Sequence, residues 1–337
     1  MVSAGVWREL YAKAKQFQEL APWEWMDDEH ILGINNQHGV RLICVLGALG
    51  EVFGFASYRG SVGVSYLLKL LDREISPQGP EAAFGQRSLL LDFAPRSQLR
   101  KEDKAILKQI GFKPAAGSPR LFPEFYSHEP GYVPWFIDEN EARMMLDDLA
   151  KLMPFAKLLD ADPDGYDQDA NGEFAFFPDT FTEPLTWDQF DWRDVSTAPD
   201  ADLPIDLAQF DVPSLSRLPQ SPETVWELSV EYSEGAICEP PRPYWPKLGL
   251  TIDGRSGLVM GFKLGGPDKT MAQIAALCLV DCLRASHTRP VKIALESADL
   301  VRALTPLLES LGTGVLHAQR LPATEEARNS FLAFSRR

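Results

Sequence analysis

No stretch of this 337-residue chain approaches 18 uninterrupted apolar residues, so none reads as a membrane span. The start, Met-Val-Ser-Ala-Gly-Val-Trp-Arg-Glu-Leu, has neither the basic opening nor the apolar core of a secretory signal, and a cytoplasmic protein is expected. Cysteine is scarce, with four in all. Cys44 lies in an apolar run, Cys238 in a proline-rich loop, and Cys278 and Cys282 one helical turn apart. That spacing suits two small core residues rather than a disulfide, and zinc would need a second Cys or His pair. Also missing are Gly-x-Ser-x-Gly, Gly-x-x-x-x-Gly-Lys-Ser/Thr, His-Glu-x-x-His, and a Gly-x-Gly-x-x-Gly after a strand. The elbow serine, the phosphate-cradling loop, the zincin pair and the dinucleotide turn are thereby excluded. The five histidines are scattered without partners in sequence.

Positive charge is short as well: 33 Lys and Arg against 48 Asp and Glu give a net charge of −15. The deficit is local. Between Asp160 and Asp211 stand 15 acidic residues and one basic residue, Arg193, so the remainder sums to −1. An acidic segment repels nucleic acid, and no basic stripe elsewhere offsets it. A nucleic-acid partner is disfavoured, a protein partner is the expectation, and oligomeric state is not legible.

What is present is enough apolar material, 45% of residues, to fill two cores. The fold expected is α+β: an N-terminal domain of mixed, mainly antiparallel character over 1–155, an acidic proline-rich connector over 156–221, and an α/β domain over 222–337. In the first, periodicity predicts helices at 5–20, 61–71, 100–110 and 139–153, with strands at 31–34, 40–46, 51–58, 88–93 and 121–127. The connector holds only brief aromatic islands, a strand at 173–177 and a short helix near 186–190. In the last domain 226–232 alternates as a strand, and 247–253 and 258–264 form a hairpin across Gly-Arg-Ser-Gly. A helix over 269–285, a strand over 291–295, a helix over 298–311 and a strand over 314–318 follow.

Three constellations carry possible chemistry. Asp160-Ala-Asp162-Pro-Asp164-Gly165 opens like a calcium loop, but its twelfth position is Asn171 and its eighth is Asp167, so it reads as an acidic turn with at most weak divalent binding. Trp23, Trp25, Tyr58 and Trp135 are expected as an aromatic contact surface. The order hairpin, helix, strand, helix, strand from Lys247 to Arg320 resembles the ribonuclease-H-like fold. In active members of that superfamily, carboxylates at the end of the first strand, near the end of the later parallel strand and on a C-terminal helix bind two divalent metals for phosphoryl chemistry. Asp253, Glu296 and Glu325 stand in those places, and the resemblance implies Mg or Mn held at Asp253 and Glu296. The same acids suit a hairpin turn and helix N-termini, in which case no cofactor is needed.

The whole chain is similar to a family of uncharacterised bacterial proteins built from domains of unknown function. The similarity rests on Trp23-Glu24-Trp25-Met26, Tyr58-Arg59-Gly60-Ser61-Val62-Gly63-Val64, Gly131-Tyr132-Val133-Pro134-Trp135, and Asp253-Gly254-Arg255-Ser256-Gly257 with Arg289-Pro290. It implies no activity. The expectation is a non-catalytic binding or accessory module with a degenerate ribonuclease-H-like domain. The alternative is a divalent-metal-dependent nuclease or phosphoryl-transfer enzyme.

Overall fold

The computed structural model describes residues 2–48, 50, 52–76, 82, 84–114, 121–166, 173–195, 205–233 and 235–335. Asp167 and Asn171 of the acidic turn lie outside the described residues. The chain is mixed α+β and divides into two compact units. The described residues up to 195 form the first, apart from Gly131–Val133. Those three and the described residues from 205 onward form the second.

In the first unit α1 (Ala4–Leu20) begins where the Ser3 hydroxyl accepts from the Val6 amide, and ends at Ala21, in the left-handed region, just before Pro22. Strands β1 (Ile31–Asn36), β2 (Gly39–Leu46) and β3 (Gly54–Arg59) follow as a meander, then α2 (Gly60–Leu71), β4 (Ser88–Pro95), α3 (Lys101–Ile110) and β5 (Leu121–His128). Helix α4 spans Glu139–Ala161, and the short strands β6 (Phe174–Phe176) and β7 (Asp191–Arg193) close the unit. The sheet order is β5-β4-β3-β2-β1-β6-β7, antiparallel throughout except that β6 runs parallel to β1.

Alternation along the strands gives this sheet two buried faces. Leu32, Ile43, Val45, Phe55 and Leu91 join α1, α3 and α4 in one core, while Ile31, Leu42, Cys44, Ala56 and Tyr58 join α2 in another. Under the first core, Arg41 is fully buried and donates to Asp148, Asp147 and Asn36 at 2.8, 2.7 and 3.1 Å. Helix α4 opens with a capping box between Asp138 and Glu141.

One sequence expectation changes here. Helix α4 continues past Pro154 for two more turns, because Phe155, Ala156 and Leu159 are buried there and Phe155 meets the rings of Tyr166, Trp187 and Phe190. Packing outweighs the lost backbone bond. In the described part of the acidic run, Asp160 lies inside α4, and residues Pro163–Gly165 make a short 3-10 turn. The described residues of the acidic connector are shared between cores, with Phe174 to Phe177, Trp187 and Phe190 buried in the first unit and Ile205, Phe210 and Leu215 in the second.

The second unit holds α5 (Val212–Ser216), β8 (Gln220–Tyr232), β9 (Lys247–Asp253), β10 (Val259–Gly265), α6 (Met271–Ser286), β11 (Arg289–Leu295), α7 (Ala298–Ser310), β12 (Gly314–His317) and α8 (Pro322–Ser335). Its sheet order is β10-β9-β8-β11-β12. Strands β10, β9 and β8 are antiparallel neighbours, and β8, β11 and β12 run parallel. The central strand is therefore β8, which starts at Gln220, six residues earlier than its alternation announces. Trp226 and Leu228 face the core made with α6 and α7, and α6 is opened by a Thr270–Gln273 capping box.

Residues Gly131–Val133 join this unit as a short lateral segment. The Trp245 amide donates to the Gly131 carbonyl at 2.8 Å, the Val133 amide to the Pro243 carbonyl at 3.0 Å, and Tyr132 bridges Tyr244. Gly131 has φ of +78°, and a Cβ there would lie 3.2 Å from the Tyr232 ring. Only glycine fits that turn without strain.

Candidate functional site on the second unit

Side chains alternate along β8, so Glu227, Ser229 and Glu231 point away from the face that Trp226 and Leu228 bury. Helix α8 covers part of this second face. Its N-terminus sits on Glu227, which accepts from the Ala323 amide at 3.2 Å, the Thr324 amide at 2.8 Å and the Thr324 hydroxyl at 2.9 Å. Further along, the Arg328 guanidinium meets Glu231 at 2.8 Å. Pro322 at the first helical position has no N–H to satisfy, so Glu227 takes the next two orphan amides from across the sheet. It is a cap supplied by a residue 96 positions away.

The other end of the same face is open. A groove of about 550 Å³ runs over Val225, Glu227, Ala294 and Leu316, walled by Gly254 and Arg255 on one side and by Arg320 to Pro322 on the other. Its lining joins apolar Val225, Ala294 and Leu316 to charged Glu223, Glu227, Arg255 and Arg320. Arg255 meets Glu223 at 3.4 Å with both side chains exposed, a weak pair. Arg320 donates to Glu325 at 3.0 Å and also feels the charge of Glu296. The bond from Arg320 holds the Glu325 carboxyl below the usual carboxylate range.

None of the three carboxylates read from sequence lines this groove, and they stand in different states. Asp253 ends β9, the second strand of the sheet and not its first, and it faces its own turn. Its carboxylate accepts from the Arg255 amide at 3.2 Å and from the Ser256 amide and hydroxyl, both at 2.8 Å. Partial burial pushes its pKa up, but those bonds outweigh it and leave the group below the ordinary aspartate value. Glu296 is exposed just beyond β11, with its carbonyl 3.0 Å from His317 Nε2. Glu325 lies in the first turn of α8, paired as described. Arg320 links Glu296 and Glu325 electrostatically. Among the described residues no group of three His, Cys, Asp or Glu side chains is placed to hold a metal ion.

Glu227 is the residue the sequence reading passed over. The signal was the alternation Trp226-Glu227-Leu228, which puts an acid on the face opposite the core. What that face meets is set by α8, and local pattern is silent on it.

The aromatic residues expected as one contact surface are dispersed within the first unit. Trp23 packs edge-on against Phe17 and Phe53, and the Trp25 indole donates to the Ala156 carbonyl at 3.1 Å, both against the α1 and α4 side. Tyr58 is 6% exposed on the opposite face of the sheet, beside Tyr66, and burial pushes its phenol well up. Trp135 pairs through its backbone with Ser127 and through its ring with Phe136.

Two family profiles match the chain. The one described as Domain of unknown function (DUF7309) covers residues 7–176, and the one described as Domain of unknown function (DUF6930) covers residues 212–332. A comparison with curated proteins returned no match. With just over half of its length matched by the first profile, the chain belongs to the family described as Domain of unknown function (DUF7309), followed by a segment of the DUF6930 type.

Proposed function

We propose that the protein is a non-catalytic, cytoplasmic binding module, and that its second unit is a ribonuclease-H-like scaffold whose open groove takes an extended polypeptide segment of a partner. The fold assignment is supported by the strand order β10-β9-β8-β11-β12, by the antiparallel hairpin feeding two parallel crossovers, and by a last helix on the face opposite α6 and α7. The observation that carries the non-catalytic reading is Glu227. It lies on the central strand at the groove with both of its carboxylate oxygens occupied by α8, while Glu223, earlier on the same strand, is exposed and pairs with Arg255. Asp253 is bound by its turn and Glu325 by Arg320. Carboxylates that serve a metal pair must bridge cations, and these accept from N–H and O–H donors instead. On this reading Glu227, with both carboxylate oxygens taken by α8, offers no bridge to a divalent pair. A lining of apolar side chains with charges of both signs suits a peptide better than a polyanion.

Calorimetric titration of manganese into the native chain, Asp253→Asn and Glu227→Gln tests this directly. No stoichiometric heat is expected in any of the three. A stoichiometric site lost in either variant would overturn the reading in favour of the metal-dependent phosphoryl-transfer alternative. On the positive side, peptides selected from a displayed library on the full chain are expected to lose affinity about tenfold or more in Leu316→Asp, as a central apolar contact should. Binders indifferent to Leu316 would remove the groove from the proposal.

A further inference from the structure

Strand β10 is an edge of the second sheet, guarded by a bulge at its start and by one inward-pointing lysine whose charge is met within its own chain. Phe262 and Leu264, 66% and 53% exposed, stand on one face with no charged residue between them on that face. Leu258 and Val259 extend the exposed apolar stretch toward the turn. The strand has no proline, and its single charge, Lys263, points to the other face, where Asp281 of α6 holds it at 2.7 Å. One irregularity in pairing with β9 lies at the start, between Val259 and Gly261, and the rest runs in register to Gly265.

We propose that β10 is a pairing edge for a second copy of this chain, the two strands running antiparallel about a two-fold axis at Phe262. The strand is complementary to itself in that register. Phe262 faces the partner's Phe262, and on the other side Lys263 faces the partner's Gly261. A shift of the axis to Lys263 would set the two ammonium groups directly opposite, which destabilises a strand pair, so charge selects the register. It also brings each Lys263 toward the Asp281 carboxylates of both copies, a reciprocal charge complementarity. The −15 of the whole chain does not oppose the contact, because residues 247–265 carry three cations and one carboxylate. The resulting sheet would continue through both copies, and none of Phe262, Lys263 and Leu264 lines the groove, so it stands or falls separately from the peptide-binding reading.

Sedimentation of the full chain over about 1 to 100 µM is the test, since mass action separates a real dimer from a single chain. The native protein is expected at twice its 37.6 kDa. Phe262→Lys and Leu264→Lys are expected to weaken the dimer about tenfold or more while the circular dichroism stays native, because both positions are exposed in the single chain. Phe262→Thr, which keeps a strand-forming residue, gives the same answer should either lysine variant fail to fold. A native chain that stays at 37.6 kDa throughout overturns the proposal and leaves the edge to some other occupant. A dimer unmoved by folded variants at 262 and 264 overturns it equally, by assigning the contact to another face.

Discussion

At the scale of single residues, the sharpest energetic commitment is the buried pair of Arg41 and Asp148, both fully enclosed and 2.8 Å apart. Burial raises the Asp148 pKa and Arg41 opposes the rise, so the aspartate depends on its cation. Arg41→Met is expected to cost about 3–5 kcal/mol in urea unfolding, and Arg41→Met with Asp148→Leu to recover most of it, since an unpaired buried charge costs more than a pair is worth. Asp147 behaves differently. Partial burial pushes its carboxyl up, but Lys151, Asn36 and Arg41 outweigh that and hold it below the ordinary 3.8. The unfolded chain then takes up the proton first as pH falls. The stability that Asp147 supplies is complete above its unfolded value and is lost as pH drops through the lower folded one. Acid unfolding followed by fluorescence should show Asp147→Asn less stable at neutral pH, with the gap to the native chain closing below about pH 4. A gap that persists unchanged into acid would mean that the charge of Asp147 contributes nothing.

Among the elements, α8 and α4 each hang on one position. Removing the three hydrogen bonds that Glu227 accepts leaves two helix-terminal amides unmet next to a buried strand, and Glu227→Ala is expected to cost about 1–3 kcal/mol. Hydrogen exchange should show the amides of residues 323–330 losing protection ahead of the sheet. Helix α4 carries the opposite situation, a proline it tolerates. Pro154→Ala restores one backbone bond at a half-buried site and is expected to raise stability by about 1–2 kcal/mol, after allowance for the stiffness proline lends the unfolded chain. These two helices also mark where local pattern stopped being informative. The apolar stripe Ala142, Met145, Leu149, Leu152 announced α4 from the sequence, and the hairpin about Gly254 to Gly257 announced β9 and β10. The continuation past Pro154 depended on rings contributed from residues 166–190, far along the chain. Likewise Asp253 and Glu325 are ordinary acids at expected places, and their chemistry is decided by the donors they meet, Ser256 and Arg320. Position was readable, and saturation was not. The expectation of a shared aromatic surface failed for a related reason: a tryptophan in a loop reads the same whether its ring points outward or, like Trp23, lies among Phe17, Phe53 and Phe93.

For the molecule as a whole, each unit has its own apolar core, one built on Leu10, Phe17, Phe55 and Leu149, another on Trp226, Leu279, Ile293 and Leu304. Separate cores predict separable unfolding, so scanning calorimetry is expected to resolve two transitions. Arg41→Met should lower only one of them and Glu227→Ala only the other. A single transition displaced by both variants would show instead that the cores melt as one. The borrowed residues Gly131–Val133 bear on a different question, that of dissection. Cutting the backbone anywhere between 196 and 204 would sever one strand of covalent continuity, yet the longer piece would still contribute its Tyr132 to the bridge with Tyr244 of the shorter. The C-terminal piece expressed alone would be an incomplete object, missing the partners of its Pro243 carbonyl and Trp245 amide. Like a locket whose clasp is made from the chain, the second unit closes on a piece that belongs to the sequence of the first.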